Sequence, residues 1–110
     1  MAEFQDLKKR ALKLRELFAE LEEQNIGKRW SRGDLLRGFI GDVGALAKLS
    51  MAADGLRSQP EHKTKLGHEF ADCLWSILVL AEEYGVDLEC EFDRLVDELS
   101  LKLKSEIAVK

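Results

Sequence analysis

Glu69 and Asp72 stand three residues apart at the start of an otherwise apolar run, Phe70-Ala-Asp-Cys-Leu-Trp-Ser-Ile-Leu-Val-Leu-Ala81, in which Asp72 is the only charge. At helical spacing the two carboxylates share a face. A charge is costly to bury alone, so acids kept on an interior helix imply a cation or a buried base. A third acid, Asp42, falls inside the apolar arc of an upstream segment, near Leu35, Phe39, Ala45, Leu46 and Leu49 on the helical wheel. Carboxylates projecting from two facing helices make a hard, oxygen-rich site. Mg²⁺ needs only one or two of them when phosphate oxygens and water complete its octahedron, and Mn²⁺ accepts the same donors. That suits a nucleotide substrate, with the ion neutralising the phosphate chain and a remaining carboxylate positioning or activating a water for attack on phosphorus. Spacing alone leaves a second reading open, a buried salt bridge from these acids to Lys65, His62 or a base of the first helix.

The elements that must hold these residues are helices. Periodicity near 3.6 recurs along the chain, while alternation at period two is absent over any useful length. The first helix is expected from about Glu3 to Glu23, with Leu7, Ala11, Leu14, Phe18 and Leu21 as its apolar stripe. Two glycines and a cluster of charge break the pattern over 25–33, and either Ser31 or Asp34 can cap the second helix. That helix covers about Asp34 to Ala53, with Asp34, Arg37, Gly41, Gly44 and Lys48 on its polar side. Pro60 can open the third, which runs to about Tyr84 before Gly85 ends it. Asp87 can cap a fourth, striped by Leu88, Phe92, Leu95, Leu99 and Leu103. Four helices with short connections imply an all-α, four-helix bundle-like subunit forming a single domain over 1–110.

Composition narrows the function classes. With 17 basic against 21 acidic residues the net charge is −4, which argues against general nucleic-acid binding and leaves small ligands open. No stretch approaches the ~20 apolar residues of a membrane span, and the N-terminal Met-Ala-Glu-Phe-Gln-Asp lacks the segments of a signal peptide, so a cytoplasmic protein is expected. Cys73 and Cys90 have no partner at metal or redox spacing and are expected as two reduced side chains. The third helix is apolar over most of its circumference, which requires neighbours on several sides and implies a homodimer.

Ile40-Gly-Asp-Val-Gly-Ala-Leu-Ala47, then Glu69-Phe-Ala-Asp-Cys-Leu-Trp75, then Tyr84-Gly-Val-Asp-Leu88 resemble the all-α nucleoside triphosphate pyrophosphohydrolases of the MazG type, over about Trp30 to Leu99. The resemblance implies Mg²⁺-dependent hydrolysis between the α and β phosphates, yielding a monophosphate and pyrophosphate, in a dimer or tetramer of helical subunits. The family pattern is Glu-x-x-Glu on one helix and Glu-x-x-Asp on the next. Glu69 and Asp72 match the second pair, and Asp42 takes the first position of the first pair with a side chain one methylene shorter. Ala45 stands where the second acid would, which removes one ligand and its charge. Ser76 replaces the aromatic that often follows the tryptophan, and the last helix lacks a clear match to the Lys and Asn often found there.

These residues support two expectations from different classes. One is a pyrophosphohydrolase in which Asp42, Glu69 and Asp72 hold the metal and one of them orients water. The other is a divergent, non-catalytic relative that binds a nucleotide or serves as an oligomeric interaction module. Trp30, flanked by Lys28, Arg29 and Arg32, can stack on a base while the cations meet phosphates; a solvated loop with its tryptophan in a subunit interface is the alternative. Lys65, one turn before Glu69, can touch phosphate or form an i to i+4 ion pair with Glu69. His68-Glu69-Phe-Ala-Asp72 lacks the second histidine of a zinc helix, which excludes that motif.

Overall fold

Polar caps and glycines set the helix limits. Gly27 closes the first helix at φ 79°, a left-handed conformation that costs glycine nothing, and its N–H returns to the Glu23 carbonyl. Four residues on, the Ser31 hydroxyl accepts the Asp34 N–H while the Asp34 carboxylate accepts the Ser31 N–H, a reciprocal capping box. The two candidate caps thus act together, and the helix begins before Asp34. Asp87 caps the last helix, its Oδ1 accepting the Cys90 N–H at 3.1 Å.

The computed structural model describes residues 3–109. Met1 and Ala2, part of the segment read as lacking a signal peptide, lie outside the described residues. The order is α1 (Phe4–Ile26), α2 (Arg32–Ala53), α3 (His62–Glu83) and α4 (Leu88–Val109), with no strand among the described residues. The all-helical expectation and the number of helices hold. Pro60 does not open α3: the helix starts two residues later, after Glu61 in a left-handed turn at φ 57°. Among the described residues no helix is long and apolar enough to cross a membrane. Cys73 is buried, Cys90 exposed, and both are free thiols.

The core gathers Ala11 of α1, Leu35 of α2, and Leu78 and Val79 of α3, with Phe4, Trp75, Leu80 and Leu88 packed around them. Leu35 near the start of α2 meets the late α3 residues Leu78 and Val79, whereas Leu49 near the end of α2 lies by Lys65 early in α3. The two helices therefore run antiparallel as a hairpin. Across α3 lies α1, tied by an indole bond from Trp75 Nε1 to the Ala11 carbonyl at 3.0 Å and by the edge contact of Phe18 with Trp75.

Two features depart from the sequence reading. The buried face of α1 is Ala11, Arg15 and Ala19, rotated away from the leucine stripe, and Leu14, Phe18 and Leu21 remain partly exposed. The rotation places the Arg15 guanidinium inside a polar clasp: Nη2 donates to the Trp30 carbonyl at 2.6 Å, Nη1 to Glu22 at 3.3 Å, and Glu83 lies 3.7 Å from Nε. A desolvated guanidinium needs acceptors, and this orientation supplies them to Nη1 and Nη2, while the buried Nε makes no hydrogen bond and has only the Glu83 charge nearby. The second departure is α4, which buries none of its described residues and meets the rest of the molecule at its start, where Leu88 packs on the core and Glu89 accepts a hydrogen bond from Gln5 of α1. The radius of gyration is accordingly 17.7 Å, against about 13 Å for a compact chain of 100 residues.

Candidate metal centre

Asp42 comes from the middle of α2, while Glu69 and Asp72 come from the first half of α3. The hairpin brings these three acids together, each half-buried, with one carboxylate oxygen from each within 4.8 Å of the others. The inward placement of Asp42 follows from its neighbours on the wheel, since Leu35 and Leu49 are buried on the same arc. Ligands of an octahedral ion with bonds of ~2.1 Å lie about 3–4.2 Å apart, so the spacing of this cluster is near what a cation would require of it. The donor set, three carboxylates and no sulfur or imidazole, fits Mg²⁺ or Mn²⁺.

The cluster is electrostatically unbalanced. Among the described residues neither Asp42 nor Glu69 forms an ion pair, and Asp72 meets only His68, whose Nε2 lies 3.3 Å from Oδ2. The buried salt bridge to Lys65, His62 or a base of α1 is therefore absent here. Burial first, and then the Asp42 and Asp72 carboxylates, push the Glu69 pKa above the ordinary glutamate range. Cys73, on the same helix, is raised chiefly by its burial and further by all three acids.

Beside the acids opens a groove of about 520 Å³ between α2 and α3, and Glu69 forms part of its wall. Ala45 lies on the opposite wall, where its methyl group leaves space that a longer acid would fill. Lys48, Lys65 and His68 supply basic groups along the same groove. Lys65 thus borders the groove, and it makes no ion pair with Glu69. Sequence reasoning passed over Lys48 and His68 as groove residues. The signal for Lys48 was its position one turn after Ala45, and for His68 its place beside Glu69.

Trp30 lies in a separate groove of about 420 Å³ with Ile26, Lys28, Asp34, Arg37 and Gly38. Its indole covers Gly38, one turn before Asp42 on the same face of α2; a Cβ at Gly38 would meet Trp30 Cζ3 at 3.2 Å. The cations expected around Trp30 divide. Arg29 pairs with Glu16 at 3.0 Å, and Arg32 turns to the end of α3, stacking over Tyr84 at 4.4 Å and donating to the Glu83 carbonyl. Lys28 and Arg37 remain beside the indole, with Arg37 paired to Asp34. Hydrogen bonds from Ser31, joined by Arg37, hold Asp34 below the usual carboxylate range.

This geometry offers hard oxygen donors beside a groove with a basic lining, an arrangement able to hold a divalent cation together with an anionic ligand. Comparison of the chain with protein-family models, with curated proteins and with solved structures found no match.

Proposed function

We propose that the chain is a Mg²⁺-dependent nucleotide pyrophosphohydrolase, a divergent relative of the MazG-like enzymes, cleaving a nucleoside triphosphate or related nucleotide to monophosphate and pyrophosphate. The observation that carries this reading is the convergence of Asp42, Glu69 and Asp72 from two helices, with no lysine or arginine among the described residues paired to them. Acids crowded in this way are stabilised by a cation, and three carboxylates suit Mg²⁺ or Mn²⁺. Bound there, the ion would neutralise phosphate charge and lower the pKa of a coordinated water. Asp42, Glu69 and Asp72 hold the cation, and Lys48, Lys65 and His68 receive phosphate oxygens along the adjoining groove. Glu69, with its raised pKa, is the carboxylate suited to orient the attacking water and take its proton. Trp30 can stack on the base one helical turn from Asp42.

The test is incubation with a panel of canonical and modified nucleoside triphosphates and Mg²⁺, following monophosphate and pyrophosphate beside an Asp72→Asn control. Turnover lost in the control supports the reading; turnover equal in both variants removes it.

Ala45 on the groove wall favours a second reading, a nucleotide-binding protein without turnover. It predicts Mg²⁺-assisted nucleotide binding and no pyrophosphate release. On that reading Ala45→Glu restores hydrolysis, and an Ala45→Glu variant as silent as wild type counts against a missing ligand as the cause.

A further inference from the structure

One face of α4 is apolar and uncovered along most of the helix. Phe92, Leu95, Val96, Leu99, Leu103 and Ile107 fall on a single side of the helix and are all exposed, Phe92 at 59% and Ile107 at 72%. Twenty-two residues extend about 33 Å, and an amphipathic helix of that length left in water gains no burial for its stripe. The short link 84–87 and the docked Leu88 start α4 at the core, and the helix then leaves it.

Charge along α4 states what covers the face. Through Glu98 the helix carries Glu89, Glu91, Asp93, Asp97 and Glu98 against Arg94 alone, whereas the remainder carries Lys102 and Lys104 against Glu106. A helix acidic in its first half and basic in its second complements its own antiparallel copy. We propose that α4 pairs antiparallel with α4 of a second copy of this chain, about a two-fold axis crossing the helix near Asp97 and Glu98. In that register Phe92 packs on Leu103 of the other copy and Val96 on Leu99. Glu91 then lies beside the other copy's Lys102 on one flank, and Asp93 beside its Lys104 on the other. A parallel pair would set the acids of the first half against their own copies and lysine against lysine, whereas the antiparallel register leaves Glu89 beside Glu106 as its like-charge contact away from the axis. The contact uses the same patch on both copies, so it closes at two and forms no filament. This surface is independent of the acidic cluster, and the inference does not rest on the nucleotide reading.

Light scattering coupled to size exclusion, on the full chain at micromolar concentration, tests it. Wild type should elute at twice the 12.5 kDa chain mass. Lys102→Glu with Lys104→Glu should yield a helical monomer by circular dichroism, and adding Glu91→Lys and Asp93→Lys to that same chain should restore the dimer. A wild-type monomer, an assembly larger than a dimer, a dimer indifferent to the double reversal, or a quadruple variant that stays monomeric would each overturn the proposal. So would a dimer lost only when the exposed α1 residue Leu14 is made Glu.

Discussion

The Arg15 guanidinium holds the Trp30 main chain from one side while Glu22 holds it from the other: Arg15 donates to the Trp30 carbonyl at 2.6 Å, and the Trp30 N–H donates to Glu22 at 2.7 Å. Because Arg15 also bonds to Glu22, the three residues close a ring linking α1 to the loop before α2.

Truncating this buried cation leaves Glu22 and the Trp30 carbonyl without their donor. Arg15→Ala should cost about 3 kcal/mol, the range for breaking a buried ion pair. Urea unfolding measures the loss, and a cost within 0.5 kcal/mol of zero, roughly that of an ordinary surface substitution, would mean the clasp is ornamental. Arg15→Lys retains the charge but not the forked geometry, and should recover only part of the stability.

Glu69 should make the cation-free protein sensitive to pH. Its folded-state pKa is raised, so folding favours the protonated acid. The corresponding stability is complete below the unfolded-state pKa and disappears as pH rises through the higher folded-state value. In chelator, thermal unfolding should therefore show Glu69→Gln gaining on wild type as pH climbs from about 4 to about 7. Millimolar Mg²⁺ should then raise the wild-type midpoint more than that of the variant. Parallel curves for the two proteins in chelator would contradict the repulsion described above.

Gly38 and Gly44 separate open space from occupied space on one helix. A Cβ at Gly44 meets nothing within 4 Å, so Gly44→Ala should stabilise the protein by about 0.5–1 kcal/mol through helix propensity alone. At Gly38 the added methyl presses on the Trp30 ring at 3.2 Å, and the ring's backbone is pinned by Arg15 and Glu22. Gly38→Ala should gain less, with a change in tryptophan fluorescence that Gly44→Ala lacks. Equal gains and unchanged emission in both would show that the indole moves aside freely.

The sequence was most informative where local chemistry decides. Gly27, the Ser31 and Asp34 pair, Gly85 and Asp87 mark helix ends through bonds made within a few residues. The inward arc of Asp42 was legible because Leu35 and Leu49 repeat on its wheel. Arg15 was hidden for the opposite reason. Counting apolar residues on α1 favours its leucines, and nothing near Arg15 in sequence announces that the Trp30 carbonyl and Glu83 will receive the guanidinium. The contacts of Arg32 were hidden in the same way, its partners Glu83 and Tyr84 lying over fifty residues away. For α4 the periodicity revealed a stripe, yet a stripe does not carry the identity of the surface that covers it.

Asp42, Glu69 and Asp72 all belong to the hairpin of α2 and α3, whose connection is the short segment 54–61. Closing so short a loop is entropically cheap, and contacts of low sequence separation form early in folding. The bond from Trp75 to Ala11, in contrast, spans 64 residues. The acids should therefore meet while α1 is still undocked, and the nascent chain would feel their mutual repulsion first. A divalent cation present during refolding should accordingly accelerate the earliest phase, acting on the order of assembly as well as on its end point.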